Sequence, residues 1–100
     1  MNVYVITEFL KLGDKETQNI KAITTTLDGV REWISNYCDF CIETSHEYCN
    51  EETYLQERKR YTETKEYLLE KLKRYTEDTF DVGTEIFTRD FCIGCYEVIE

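Results

Sequence analysis

Val3-Tyr4-Val5-Ile6-Thr7-Glu8-Phe9-Leu10 is a run of β-branched and aromatic residues near the start of a 100-residue chain. Such side chains favour extended backbone, where they pack on a pleated surface. The run is apolar on nearly both faces, which predicts a central strand. Gly13-Asp14 supplies a turn after it, and Asn19–Thr25 reads as the returning strand of a hairpin. Thr26 as N-cap, with Asp28 in the first turn, predicts a helix from Leu27 to about Tyr37. Thr44 and Glu47 form a Thr-x-x-Glu capping box, which predicts a second, longer helix from there to about Glu77. Val82–Thr88 and Phe91–Ile99 read as two further short strands. The order β-β-α-α-β-β predicts an α+β fold with a small antiparallel sheet, in one domain spanning residues 1–100.

Two Cys-x-x-Cys pairs, Cys38-Asp39-Phe40-Cys41 and Cys92-Ile93-Gly94-Cys95, hold four of the five cysteines. Two chelating dithiols supply the closed tetrahedral set of a structural zinc site, which predicts one Zn²⁺ on Cys38, Cys41, Cys92 and Cys95. Such an ion would clamp the end of the first helix to the C-terminal strands of a chain whose core is marginal in size. Cys92 and Cys95 point to opposite faces of an unbroken strand, so the site requires a knuckle at Gly94, the residue that takes a positive φ without strain. A local alternative is Cys38, Cys41, His46 and Cys49, which would leave Cys92 and Cys95 without a role. The plain alternative is that these thiols are small buried hydrophobes, since Val30, Trp33, Ile34, Tyr37, Cys38 and Cys41 share one face at helical spacing.

The first residues show no basic segment followed by an apolar stretch and a cleavage site, so a reducing cytoplasm is expected and a disulfide framework is not. A redox dithiol wants its reactive cysteine at a helix N-terminus, whereas Cys38 and Cys41 follow the first helix. No apolar run is long enough to span a membrane.

In the long helix Tyr54, Tyr61, Leu68 and Tyr75 recur every seven residues, separated by Arg58, Lys65 and Leu72. That stripe is too narrow to sustain a coiled coil, so a monomer with its C-terminal half packed on the sheet is expected. The exposed half offers Tyr48, Tyr54 and Tyr61 among charges as a partner surface.

The chain carries 21 acidic and 12 basic residues. Residues 51–78 are nearly balanced, with eight acids and seven bases, so the excess lies outside the long helix. An acidic protein is repelled by nucleic acid, whose binding relies on Lys and Arg. It suits instead a decoy that imitates nucleic acid and docks on a basic protein surface, with Glu43, Glu47, Glu51, Glu52, Asp81, Glu85 and Asp90 meeting the partner's cations and Tyr54 as a further contact. One histidine, no Gly-rich phosphate loop and no nucleophile set argue against catalysis.

The opening strand Val3-Tyr4-Val5-Ile6-Thr7-Glu8, the passage Ala22-Ile23-Thr24-Thr25-Thr26-Leu27-Asp28-Gly29-Val30-Arg31-Glu32-Trp33-Ile34 and the closing Cys95-Tyr96-Glu97-Val98-Ile99-Glu100 resemble small proteins carried by phages of Gram-positive bacteria. In size, acidity and its Tyr-rich charged helix the chain resembles the type II anti-CRISPR proteins within that group. The resemblance implies inhibition of the RNA-guided CRISPR effector nuclease in a bacterial host cell, by preventing target DNA from loading into its positively charged channel. It assigns no site residue, because that group shares an activity and no common site. Two other classes are a zinc-stabilised adaptor for a different phage or host protein and a zinc-dependent nucleic-acid-binding module.

Overall fold

The computed structural model describes residues 1–99 and, at Leu12, the backbone alone. Strand β1 (Asn2–Leu12) turns through Gly13 and Asp14 into β2 (Lys15–Thr24), two helices follow, α1 (Leu27–Tyr48) and α2 (Glu51–Leu72), and the chain closes with β3 (Glu85–Phe87) and β4 (Phe91–Glu97). The four strands form one antiparallel sheet in the order β2-β1-β4-β3. The predicted α+β class and element order are therefore present, and β1 is central. Gly13 stands first in its two-residue loop with φ 66°, the arrangement of a type II′ hairpin.

Alternation along β1 decides where the core lies. Tyr4, Ile6 and Glu8 are buried on one face, and directly across from them stand Cys95, Ile93 and Phe91 of β4. Both helices cover this face: Val30, Ile34 and Cys38 of α1, with Leu68 and Leu72 of α2, complete a core with these strand residues. Val3, Val5, Thr7 and Phe9 point the other way and are only half-buried. A run nearly apolar on both faces is thus roofed on one.

Several boundaries differ from the sequence expectation. Strand β2 begins at Lys15, four residues before Asn19, because the short hairpin loop lets the ladder start at once. Helix α1 does not stop near Tyr37. Neither Gly nor Pro interrupts residues 38–48, so it continues to Tyr48. The expected cap at Thr44 and Glu47 consequently lies inside α1. The working N-cap of α2 is Asn50, whose side chain accepts from the Thr53 N–H at 2.8 Å, with Glu51 and Glu52 at the positive end of the dipole. Thr26 caps α1 as expected, accepting from the Gly29 N–H at 3.0 Å.

Helix α2 ends at Leu72, short of Glu77. Thr76 and Thr79 bond to each other's backbone there, at 2.7 and 3.3 Å, and the bend delivers Phe80 into the core. Its ring meets Tyr75 at 5.0 Å and Tyr4 at 5.5 Å. Strands β3 and β4 are shorter than Val82–Thr88 and Phe91–Ile99. Among the described residues no helix is long and apolar enough to cross a membrane.

Candidate functional site

The cysteines fall into separate environments. Cys38 and Cys41 lie in mid-helix on α1, one turn apart. Cys38 is 1% exposed in the core, and Cys41 stands beside the hydroxyls of Tyr37 and Tyr61. Strand β4 passes through Gly94 without a break and Gly94 has no positive φ, so the expected knuckle does not form. Gly94 instead admits the Tyr96 ring, whose Cε2 would stand 3.1 Å from any Cβ at that position. With the pleat intact, Cys95 points into the core opposite Tyr4, and Cys92 points outward beside Thr7. As folded, the two dithiols do not converge, and among the described residues no three His, Cys, Asp or Glu side chains are placed to share a metal ion.

Burial pushes the Cys38 thiol up to about 11, with the neighbouring Cys41 adding to it. Burial also raises Cys41, against the pull of the Tyr37 and Tyr61 hydroxyls. The same cause raises Cys92 and Cys95, reinforced by the negative charges of Glu85 and Asp81 respectively. Burial thus disfavours the thiolate at all four, the reverse of the electropositive setting that activates a cysteine.

The helical hairpin carries the other candidate. Contacts run its length as the two helices cross in opposite directions: Arg31 donates to the Leu72 carbonyl at 3.2 Å, Lys65 to Asp39 at 3.0 Å, and His46 meets Tyr54 edge-on at 4.9 Å. Fully buried residues end at Cys38 on α1 and begin at Leu68 on α2, and between them Tyr61, expected on the exposed half, packs half-buried against the core while Arg60 is tied to Asp90. Beyond these contacts residues 42–55 form the hairpin tip. Residues 42–55 contain Glu43, Glu47, Glu51 and Glu52 and no Lys or Arg. Ile42, Glu43, His46, Glu47 and Tyr54 line a shallow groove of about 390 Å³ there.

The expected partner residues do not form one surface. Glu43, Glu47 and Tyr54 come together at the tip. Asp81 sits near Cys95 and Tyr4, and Glu85 is on the outermost strand opposite Gly94. Asp90 is already paired: Arg60 of α2 grips it through Nη2 at 2.8 Å and Nε at 3.1 Å. This bidentate pair ties the turn before β4 to α2.

Sequence reasoning passed over two features. One is a buried polar cluster in which Glu8, 7% exposed, accepts from Tyr37 at 3.0 Å and faces Lys21 Nζ at 3.8 Å. The signal was present, because Glu8 shares the parity of Tyr4 and Ile6. The other is a bulge at Lys21. The register steps from Ile6 opposite Ala22 to Thr7 opposite Ile20, which puts Ile20 and Ile23 on the same face although they are three residues apart.

The chain matches no protein-family model, no curated protein and no solved structure closely enough to show kinship.

Proposed function

We propose that the protein acts without catalysis, by stoichiometric docking of its acidic hairpin tip on a basic, nucleic-acid-binding surface of another protein. One observation carries this reading: four glutamates, no cation and the groove-lining Tyr54 are gathered where the hairpin leaves the core. Carboxylates on a projecting element reach into a channel built for phosphates, and the aromatic ring adds contact area at low entropic cost. The resemblance to type II anti-CRISPR proteins supports a type II CRISPR effector nuclease as the partner, with target-DNA loading blocked and no DNA contacted by the inhibitor itself. Asp90 is left out of the docking surface because Arg60 occupies it.

Titrating the protein into a purified type II effector charged with guide RNA tests this. The expected result is loss of DNA binding and cutting at a one-to-one ratio, weakening as salt rises. Reversing Glu43, Glu47, Glu51 and Glu52 to Lys should raise the concentration required. Full cutting in the presence of excess protein overturns the CRISPR partner, and a shift of DNA or RNA by the protein alone favours a nucleic-acid-binding module.

Zinc on Cys38, Cys41, Cys92 and Cys95 enters this proposal only as a rearranged state, in which β4 breaks at Gly94 and Cys38 leaves the core. Its support is the two Cys-x-x-Cys spacings. Elemental analysis of protein purified without chelator, compared with Cys92→Ser, tests it.

A further inference from the structure

We propose that the helix-free face of the sheet is the contact surface of a homodimer, packed on the same face of a second copy of this chain. Along β1, Val3, Val5, Thr7 and Phe9 point away from the helices. The register sets Ile23 beside Val5 and Ile20 beside Thr7 on one flank, with Cys92 and then Phe87 on the other. Ile20 is 65% exposed, Ile23 61%, Phe87 55% and Tyr96 49%. The bulge at Lys21 is what makes the patch continuous, since an unbroken β2 would turn one of the two isoleucines inward. Contiguous exposed apolar surface of this kind marks an interaction site.

Charge and area identify the occupant. One residue in three of this chain is charged and the net charge is −9, yet among the described strand residues this face carries only Glu85 and the cross-strand pair Lys11–Glu16, with Arg89 at its border beside Phe9 and Phe87. A partner chosen by electrostatics would be held elsewhere, at the acidic tip. An uncharged face selects an equally uncharged one, and a second copy presents it. Glu85 lies on the outermost strand, so it falls at the rim, where a carboxylate keeps its water. The four exposed side chains, with the half-buried residues of β1 and β4, offer on the order of 600 Å² per copy, approaching the roughly 800 Å² per partner of a standard interface. An interface below the standard size corresponds to reversible association, its strength set by packing rather than by area.

Two such sheets pack face to face with their strands within about 30° of each other, and a two-fold axis makes the contact self-complementary. The Thr7–Cys92 pair joins the two inner strands, so the axis passes near it and brings the two copies of Cys92 together. The helices lie on the opposite face, so both acidic tips stay free. Dimerisation is independent of the docking proposal and is read without any partner protein.

Sedimentation equilibrium of the full chain tests the proposal. A concentration-dependent dimer is expected, and it should tighten with added salt because screening relieves repulsion between two copies of charge −9. Ile20→Glu and Phe87→Glu, both at exposed positions, should keep the circular dichroism spectrum and melt of the parent and raise the dissociation constant at least about tenfold. A short bismaleimide should link two chains in Cys49→Ser, which lacks the exposed cysteine, and fail to do so in Cys49→Ser/Cys92→Ser. A chain that stays monomeric at about 0.5 mM overturns the proposal and leaves the face to a different protein. A dimer that is unmoved by both substitutions overturns it in favour of another surface, such as the tyrosine stripe of α2.

Discussion

The Tyr37 hydroxyl donates to Glu8 Oε2 at 3.0 Å, joining α1 to the central strand across 29 residues of sequence. Tyr37 also stacks on Trp33 at 4.7 Å, and both rings meet Phe91 edge-on, so the hydroxyl is aimed by packing. Removing it leaves a buried carboxylate facing only Lys21 at 3.8 Å. Tyr37→Phe should therefore destabilise the fold by about 1–3 kcal/mol in denaturant melts. A melt matching the parent would mean that Glu8 draws its compensation from elsewhere.

Arg60 and Asp90 supply a second tether, between α2 and the turn before β4. The arginine side chain is 45% exposed and its partner 14%, so the pair is screened by water on one side only. Asp90→Asn should cost about 1 kcal/mol, a loss that shrinks in high salt. The proposed docking of the tip should be unchanged, because Asp90 is held by Arg60 away from the tip.

The two halves of α2 should respond differently to truncation. Leu72, with no exposed surface, and Leu68, at 1%, lie in the core. Leu72→Ala should cost about 2–4 kcal/mol. Tyr54→Ala at the tip should cost well under about 1 kcal/mol in the same thermal melts, while weakening partner binding.

Asn50 and Thr44 separate two ideas of where α2 begins. Asn50→Ala removes the acceptor of the Thr53 N–H and should cost about 1 kcal/mol. Thr44→Ala, in the interior of α1, should be neutral or slightly stabilising because alanine is the better helix former. Chemical denaturation of the two variants distinguishes them.

Alkaline pH should destabilise the fold. The Cys38 thiol, ordinarily near 9.0, is raised to about 11 in the fold by burial. Tyr37 and Tyr61 are raised above their ordinary 10.0, also chiefly by burial. A group raised on folding releases its proton more readily from the unfolded chain. Stability should therefore hold through neutrality and fall from about pH 9 upward, with Cys38 contributing on the order of 2 kcal/mol by pH 11. Urea melts between pH 7 and 11 check this, and Cys38→Ala should flatten the first part of the decline.

Local chemistry made much of this protein legible in advance. The β-branched density of residues 3–10, the Gly13-Asp14 turn and the Thr26 cap act over a few residues, and each reads correctly from neighbours alone. Element order follows from them. The length of α1 was not legible, because a Thr-x-x-Glu box suits a helix start and a helix interior alike, and the choice depended on Asn50 further along. The end of α2 was not legible because the Thr76–Thr79 bend beyond it delivers Phe80 into a core that both helices and the sheet build together.

What the cysteines do was decided by pleat and register. Two dithiols at metal-binding spacing imply convergence when read along the chain, yet an unbroken β4 sends Cys92 and Cys95 to opposite faces while α1 turns Cys38 into the core. Sequence by itself determined the class, the strand and helix order, the acidic charge and the apolar runs, since these depend on residue type and local period. Tertiary structure alone decided which side of the sheet was roofed, which carboxylates were already paired and which stood free at the hairpin tip. Those outcomes depend on contacts between residues remote in sequence, such as Tyr37 with Glu8 and Arg60 with Asp90, whose pairing no local pattern encodes.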